Sequence, residues 1–137
     1  MSCVLSIVGK DLDIDSFVKK TGISGFKKRY KGDIVSVKIN KKLDYSYASI
    51  VISEADFDDL NTQFKEAEEY LTTNKSRLKC IGNTQGVDYA TINFGANSSK
   101  DTVVKSFYFP ISLISICAEL QLGLELSVYR KESFYED

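Results

Sequence analysis

Short runs of apolar and β-branched residues, several in strict alternation with polar ones, predict a series of β-strands. These runs lie at 3–8, 34–39, 45–53, 77–81, 87–94 and 124–129, with a further candidate at 103–109. In the second run, Val35, Val37 and Ile39 alternate with polar residues, as expected of a strand with one face buried. The polar segments at 82–86 and 95–101 predict a hairpin loop and a surface loop.

Three other segments repeat their apolar residues every three or four positions and predict helices. The first follows Asp13, a residue type that caps helix N-termini, and ends at Gly22. The second is the clearest amphipathic helix; it is expected to begin with a capping box at 53–56 and to run to about Asn74. Its apolar stripe consists of Phe57, Leu60, Phe64, Ala67 and Leu71.

The third predicted helix begins at Pro110 and ends at Gly123. Its surface is apolar except for a stripe of Ser112, Ser115 and Glu119, so we expect it to be well buried. Strands and helices then alternate as three strand–helix–strand units. The sequence predicts a single α+β domain over 1–137, with residues 131–137 as a flexible tail. Its mixed, largely antiparallel sheet should hold five to six strands, with helices packed mainly on one face.

The amino-acid composition supports a packed core and excludes several kinds of catalysis. Of 137 residues, 43% are hydrophobic and 27% are charged. The chain contains no histidine, which excludes Ser-His-Asp triads, Cys-His pairs and histidine metal ligands. We therefore expect a protein that is not an enzyme and has no catalytic residues; an enzyme that uses carboxylates or Cys80 is the least favoured alternative.

Cysteine spacing predicts a reduced compartment. The three cysteines are far apart and form no C-x-x-C pair, which argues against a zinc framework and a disulfide scaffold. Cys3 and Cys117 lie among apolar residues and are expected to be buried as small hydrophobic side chains. The first apolar run is too short and lacks the basic lead of a signal peptide, and no later run resembles a membrane span. A cytoplasmic protein without membrane contact is expected.

One segment begins like a calcium-binding loop. Asp11, Asp13 and Asp15 have the spacing of its first ligands, but Ser16 stands where glycine is needed and Gly22 where the bidentate glutamate is needed. Helix capping explains these carboxylates better. The 82–86 segment also lacks the ending of a phosphate-binding loop, so we expect no metal and no cofactor.

Charge is divided unevenly along the chain and suggests two candidate binding surfaces. Residues 1–45 hold ten Lys/Arg and five Asp/Glu, a net charge of +5, whereas residues 46–137 hold eight and fourteen, a net charge of −6. The two halves of the chain could also interleave in space, so that their opposite charges cancel. Four carboxylates on the long helix, Asp58, Asp59, Glu66 and Glu69, form a candidate docking face for a basic protein, or simply a solvated face.

The second candidate surface is basic and aromatic. It comprises Lys27, Lys28, Arg29, Tyr30, Asp33 and Tyr45, which could surround a ligand pocket or contact phosphate groups. The acidic remainder of the chain disfavours direct nucleic-acid binding.

The order of these signals resembles a bacterial family known only as domain of unknown function 4279. The resemblance rests on the opening segments at 5–13, 17–23 and 30–33, and on the closing segments at 109–114 and 118–129. It covers most of the chain, although tyrosines at 45 and 47 stand where that family often has tryptophan. The resemblance supplies no catalytic residues.

Small proteins of this kind also resemble, more loosely, the immunity proteins encoded beside polymorphic and contact-dependent growth inhibition toxins. That likeness implies a protein that binds a cognate toxin domain, such as a nuclease, and blocks its active site. The carboxylates would face the basic cleft, and a tyrosine or phenylalanine would supply contact energy. The alternative is a small-molecule-binding or regulatory domain with its pocket near Arg29, Tyr30, Asp33 and Tyr45.

Overall fold

A five-stranded mixed sheet with helices against one face forms the body of the protein. The computed structural model describes residues 2–99, 101 and 103–130, so the predicted tail at 131–137 lies outside the described residues. In chain order the elements are β1 (Cys3–Gly9), α1 (Ile14–Thr21), β2 (Lys27–Arg29), β3 (Ile34–Ser36), β4 (Lys41–Lys42), β5 (Ser46–Ser53), α2 (Leu60–Thr73), α3 (Lys75–Leu78), a 3₁₀ helix (Lys79–Asn83), β6 (Tyr89–Ser98), α4 (Ile111–Glu119) and β7 (Gly123–Arg130).

The sheet has the strand order β2-β5-β1-β6-β7. Its first four strands are antiparallel, and β7 pairs with β6 in parallel. Two of the strand–helix–strand units are split, because β5 separates β1 from β2 and β1 separates β5 from β6. The predicted α+β class, with a mixed and largely antiparallel sheet, is confirmed.

The core lies between the helices and one face of the sheet. In neighbouring antiparallel strands, residues directly opposite one another share a face. Leu5 is opposite both Ile50 and Ile92, and Cys3 is opposite Phe94. Phe64 from α2 packs edge-on against Phe94, with ring centroids 4.9 Å apart. The alternate residues of β1, including Ser6 and Val8, are only partly buried, and among the described residues no helix covers this opposite face of the sheet.

Helix α1 matches its sequence prediction closely. The Asp13 side chain accepts a hydrogen bond from the backbone N–H of Ser16, which satisfies a donor that the helix itself leaves unpaired. Gly22 closes the helix in the left-handed conformation, with φ of 67°.

Helix α2 begins later than the sequence predicted. Its N-cap is Asp59, whose carboxylate accepts from both the backbone N–H and the hydroxyl of Thr62. The expected capping box at 53–56 is wrong, because the Ser53 hydroxyl donates to Glu66 and accepts from the Ala55 N–H instead. Residues 54–59 therefore form a connection that crosses from the end of β5 to the helix layer.

Other sequence predictions are also corrected by the structure. The predicted strand at 77–81 is helical, since the buried Leu78 and Ile81 are three positions apart and fit a helical turn better than an alternating strand. The predicted strand at 103–109 is absent among its described residues, and Val103 is 96% exposed. Residues 95–98, expected in a loop, extend β6. The hairpin loop expected at 82–86 is wrong, because residues 82–83 belong to the 3₁₀ helix and no strand precedes them.

The apolar segment at 34–39 is the largest departure. Only Ile34–Ser36 is a strand, and it pairs with Lys41–Lys42 in a separate two-stranded sheet. Val37 is 85% exposed and Ile39 is 70% exposed, so the expectation of a half-buried strand is wrong. Within the part of the chain that the structure describes, no second layer packs on Val37 and Ile39.

Helix α4 is less buried than its composition suggested. Leu113, Ile116 and Cys117 face the core, but Ile111 and Ile114 are exposed at 75% and 43%. The helix ends before Gln121, which adopts a left-handed conformation with φ of 59°, and Gly123 begins β7 rather than stopping the helix.

Candidate functional site

Asp58 and Asp59, two of the four predicted partner-binding carboxylates, lie in the connection between β5 and α2. Asp59 caps α2. Asp58 accepts a hydrogen bond from the Asn97 side chain at 3.1 Å, which ties the connection to the end of β6. Both side chains remain exposed, so each combines a structural role with a charge open to solvent.

Glu66 and Glu69, the other two carboxylates, follow on α2 itself. Glu66 accepts from the Ser53 hydroxyl at 2.7 Å and so fastens the helix to the end of β5. Glu69 lies one turn further along and lines an open groove of about 560 Å³, which Phe64 and Pro110 also line. Asp58 and Asp59 line a concavity of about 210 Å³ together with Phe57 and Lys105, whereas Glu66 and Glu69 lie further along α2.

An aromatic pair lies beside the first of these carboxylates. The rings of Phe57 and Tyr129 are stacked with centroids 5.2 Å apart and an interplanar angle of 10°. Tyr129 pairs in register with Asn97, the residue that holds Asp58. A Cβ on Gly95 would lie 2.8 Å from the Phe57 ring, so glycine is needed there for the ring to approach the strand.

We call this region the acidic end. It is defined by the carboxylates Glu54, Asp56, Asp58, Asp59, Glu66 and Glu69 together with the Phe57–Tyr129 pair. All six carboxylate residues are exposed, and Tyr129 is 50% exposed. Lys105 brings a positive charge to the same end, because its ammonium donates to the Asn97 backbone carbonyl. The sequence indicated the carboxylates but not the aromatic pair, whose members are 72 positions apart in the chain.

The predicted basic surface is divided by the sheet. Lys28 points to the helical face, where its ammonium lies 2.8 Å from Asp15, and the Tyr30 hydroxyl donates to the same carboxylate at 2.7 Å. These two hydrogen bonds, the one from Lys28 being the stronger influence, lower the pKa of Asp15. The carboxylate in turn raises the pKa of Lys28 and of Tyr30. This cluster joins α1 to β2. It gives Asp15, the third aspartate of the calcium-like motif, a structural role.

Lys27 and Arg29 lie on the other, uncovered face. Arg29 is opposite Tyr47 and Lys27 is opposite Ser49 in the pairing of β2 with β5. The Arg29 guanidinium also donates to the Ile34 carbonyl and lies 3.5 Å from Asp33. The structure therefore brings Arg29 next to Asp33, whose carboxylate also accepts from the Tyr30 backbone N–H at 2.8 Å. The side chains of Lys28 and Tyr30 contact Asp15 on the helical face, away from Lys27.

The uncovered sheet face carries a concavity that contains Tyr45, the last member of the predicted basic and aromatic surface. The concavity measures about 250 Å³ and is lined by Ser6, Val8, Tyr45, Tyr47, Tyr89, Thr91 and Glu125. The rings of Tyr45 and Tyr47 are 6.0 Å apart. Tyr89 was missed by the sequence argument, although its place at the start of a strand of alternating pattern was a usable signal.

The cysteines are free thiols in the structure. Cys3 and Cys117 are buried, as predicted, and Cys80 is half-buried. Burial raises the pKa of Cys3 to about 12, helped by the neighbouring Cys117, and raises that of Cys117 to about 11. Neither thiol is available as a thiolate near neutral pH. Within the described residues, no group of three or more Cys, Asp or Glu side chains is arranged to hold a metal ion.

Comparisons with known proteins assign no family to this chain. No family model, no curated protein and no solved structure matches this chain. Among the described residues, none of the helices has the length and apolar character needed to cross a membrane. The resemblances noted in the sequence therefore stay predictions.

Proposed function

We propose that this protein is a cytoplasmic immunity protein that binds a cognate bacterial toxin domain, with a nuclease as the expected target, and blocks its active site. The observation that carries the proposal is the acidic end, where the exposed Asp58 and Asp59 lie beside the stacked pair of Phe57 and Tyr129 and further carboxylates follow along α2. The protein would act by binding alone, in keeping with a chain that has no histidine.

Charge at the acidic end suits a partner that normally binds nucleic acid. A nuclease cleft is basic because its substrate is a polyanion, and carboxylates can occupy the positions of phosphates. Like-signed groups spread along one surface raise the rate of encounter with an oppositely charged cleft. Asp58 and Asp59 are held in place by Asn97 and by the helix terminus, so little conformational freedom is lost when they bind.

The aromatic pair suits the centre of an interface. Tyrosine is enriched among residues that contribute most to binding, especially where surrounding polar groups exclude water. Tyr129 is half exposed, yet its ring is fixed by stacking on Phe57. It can therefore bury apolar surface against a partner at small entropic cost.

The first experiment tests the function itself. The C-terminal domain encoded immediately upstream of this chain's gene is produced in bacteria with and without this protein. We expect growth arrest by that domain, relief of the arrest on co-expression, and a one-to-one complex on size-exclusion chromatography. An arrest that co-expression does not relieve, with no complex formed, contradicts the proposal.

The second experiment tests the surface. Tyr129→Ala is expected to weaken toxin binding about tenfold or more, measured by surface plasmon resonance. Tyr129→Phe keeps the ring and should retain most of the affinity. Tyr89→Ala removes a tyrosine that is 57% exposed and lies at the opposite end of β6 from Asn97, and should change nothing. Equal effects of the two alanine variants would show that the wrong surface has been chosen.

A second candidate function, a small-molecule-binding domain, is favoured by one observation. The concavity on the uncovered sheet face contains three tyrosines beside hydroxyl groups and a carboxylate. Ligand binding in this concavity would not depend on the acidic end.

A further inference from the structure

We propose that the concavity on the uncovered sheet face binds a mononucleotide, with the base between Tyr47 and Tyr89 and the phosphate toward Lys27. This site lies apart from the acidic end and does not depend on the immunity function.

The strand register places two tyrosines on either side of an apolar floor. Val8 is directly opposite Tyr47 in β5 and directly opposite Tyr89 in β6. Neighbouring strands are about 4.8 Å apart, so the two tyrosine backbones are separated by roughly 10 Å. A flat ring stacked between two others needs about 3.5 Å on each side. The backbone spacing therefore leaves room for one planar ring above Val8 if the two tyrosine rings stand parallel on either side of it; we call this space between Tyr47 and Tyr89 the slot.

Exposure of the slot is compatible with a ligand that stacks. Tyr89 is 57% exposed, and Tyr47 and Val8 are half-buried. Tyr45 stands against Tyr47, with ring centroids 6.0 Å apart, and limits how far the Tyr47 ring can swing. Tyrosine rings stack on any base, because every base has a π-face.

A row of polar side chains borders the tyrosine row. In register across the sheet, Lys27 is opposite Ser49, Ser49 is opposite Ser6, and Ser6 is opposite Thr91. One ammonium and three hydroxyl groups thus follow the slot along its side. Hydroxyl and ammonium groups are the donors that proteins use for phosphate oxygens.

The charges around the slot determine toward which side of the slot the phosphate of the ligand points. Lys27 and Arg29 lie at the β2 side, and Glu125 lines the concavity at the β7 side, where it accepts a hydrogen bond from Asn93. The Glu125 carboxylate repels a phosphate, so the phosphate points to Lys27. A base amino group or a ribose hydroxyl can donate to Glu125 instead.

Size and charge favour a single nucleotide over a strand of nucleic acid. The concavity, at about 250 Å³, holds one ring with part of its sugar. The whole chain carries a net charge of −1 and cannot supply the many phosphate contacts that give polynucleotides their affinity.

The test is a titration of the full chain with AMP, GMP, CMP and UMP, followed by isothermal calorimetry and by amide NMR shifts. We expect at least one to bind with a dissociation constant below about 1 mM and to shift the amides of Val8, Tyr47 and Tyr89. Tyr47→Ala and Tyr89→Ala should each weaken binding about tenfold. Tyr108→Ala, a matched exposed tyrosine outside the slot, should leave the affinity unchanged.

A second arm tests the direction of the phosphate. The nucleoside is expected to bind more weakly than its monophosphate, and Lys27→Gln should abolish that difference while retaining nucleoside binding. No binding of any of the four nucleotides at 5 mM would overturn the proposal. So would an equal effect of Tyr108→Ala, or much tighter binding of an eight-nucleotide single strand with a steep salt dependence. Thermal unfolding midpoints of all variants confirm that the exposed substitutions leave the fold intact.

Discussion

At the scale of single residues, short polar side chains mark where elements begin and how they are fastened. Asp13 and Asp59 each cap a helix through the N–H three residues later. Asp13 was identified from the sequence because it directly precedes an apolar periodic segment. Asp59 was not identified as the N-cap of α2, because the sequence around Ser53 fits a capping box equally well. Which of the two residues caps the helix depends on where the chain leaves the sheet.

Phe64 tests the packing of α2 on the sheet. Its side chain is 3% exposed and contacts Phe94 and Phe109, with ring centroids 4.9 and 5.0 Å away. Phe64→Ala should lower the free energy of unfolding by about 3–5 kcal/mol, because it removes a buried ring and leaves a cavity. Urea denaturation measures the change. An unchanged midpoint at an unchanged m-value would rule out this packing.

The buried thiols predict how stability depends on alkaline pH. Their ordinary pKa is 9.0, and in the folded protein burial raises it to about 12 for Cys3 and about 11 for Cys117. Above pH 9 the unfolded chain loses protons that the folded protein keeps, so unfolding becomes progressively more favourable as pH rises. We expect the stabilising effect to be complete below pH 9 and to be lost between pH 9 and about 12.

Denaturation at several pH values measures this decline, and Cys3→Ala should make it less steep. Alkylation gives an independent readout: near pH 8 Cys80 should react first with iodoacetamide, because it is half-buried while Cys3 and Cys117 are buried. Faster labelling of Cys3 than of Cys80 would contradict this account.

At the scale of elements, the spacing of apolar residues was sufficient to place a helix or strand where those residues form the face that packs on the core. Helices α1 and α2 and strands β1 and β5 fall close to their predicted places because each has one buried face, and β7 does so although its residues are exposed or half-buried. Periodicity failed at 34–39, where the alternation is real but no layer covers it. It also failed at 77–81, where a short apolar run fits a strand and a helical turn equally well.

The two-stranded ribbon formed by β3 and β4 gives a direct test of that failure. Val37 and Ile39 are 85% and 70% exposed. Replacing both with serine should change the free energy of unfolding by less than about 0.5 kcal/mol. A buried strand would instead lose several kcal/mol from the same double substitution. Chemical denaturation of the native protein and of the double variant distinguishes the two results. Val35 is kept as valine in both proteins.

Gln63 fastens α2 to β6 through buried hydrogen bonds. It is fully buried; its amide donates to the Gly95 carbonyl at 2.8 Å and to the Asp56 carbonyl at 3.1 Å, and its oxygen accepts from the Gly95 N–H at 3.2 Å. Gln63→Leu keeps a similar volume but leaves the Gly95 carbonyl without this donor. We expect a loss of about 1–3 kcal/mol in unfolding free energy. A neutral effect would show that water replaces the amide.

At the scale of the whole molecule, the uneven charge of the sequence becomes a spatial feature only in part. The carboxylates of 54–69 follow the connection after β5 and then α2, and Asp58 and Asp59 lie together near the end of β6. The cations of 27–31 are distributed over two faces, because alternate residues of β2 point in opposite directions. Neither the Phe57–Tyr129 pair nor the tyrosine slot could be predicted, since both depend on the order in which distant strands pair.

Electrostatic steering by the acidic end predicts opposite effects for opposite charge changes. Glu69→Lys removes a negative charge without affecting a helix cap, and should slow toxin association severalfold at low salt. Lys105→Glu adds a negative charge at the same end and should speed association. Asp44→Lys makes the same change as Glu69→Lys at an exposed position before β5 and should have little effect.

Stopped-flow or surface plasmon resonance rates at several salt concentrations measure these differences, which should shrink as the Debye length falls from about 10 Å at 0.1 M salt to about 3 Å at 1 M. The dissociation rates should change little, because steering acts before the interface closes. If Asp44→Lys slows association as much as Glu69→Lys does, the partner responds to net charge and not to the acidic end. If Lys27→Glu and Arg29→Glu alone abolish binding, the partner uses the basic edge of the uncovered sheet face instead.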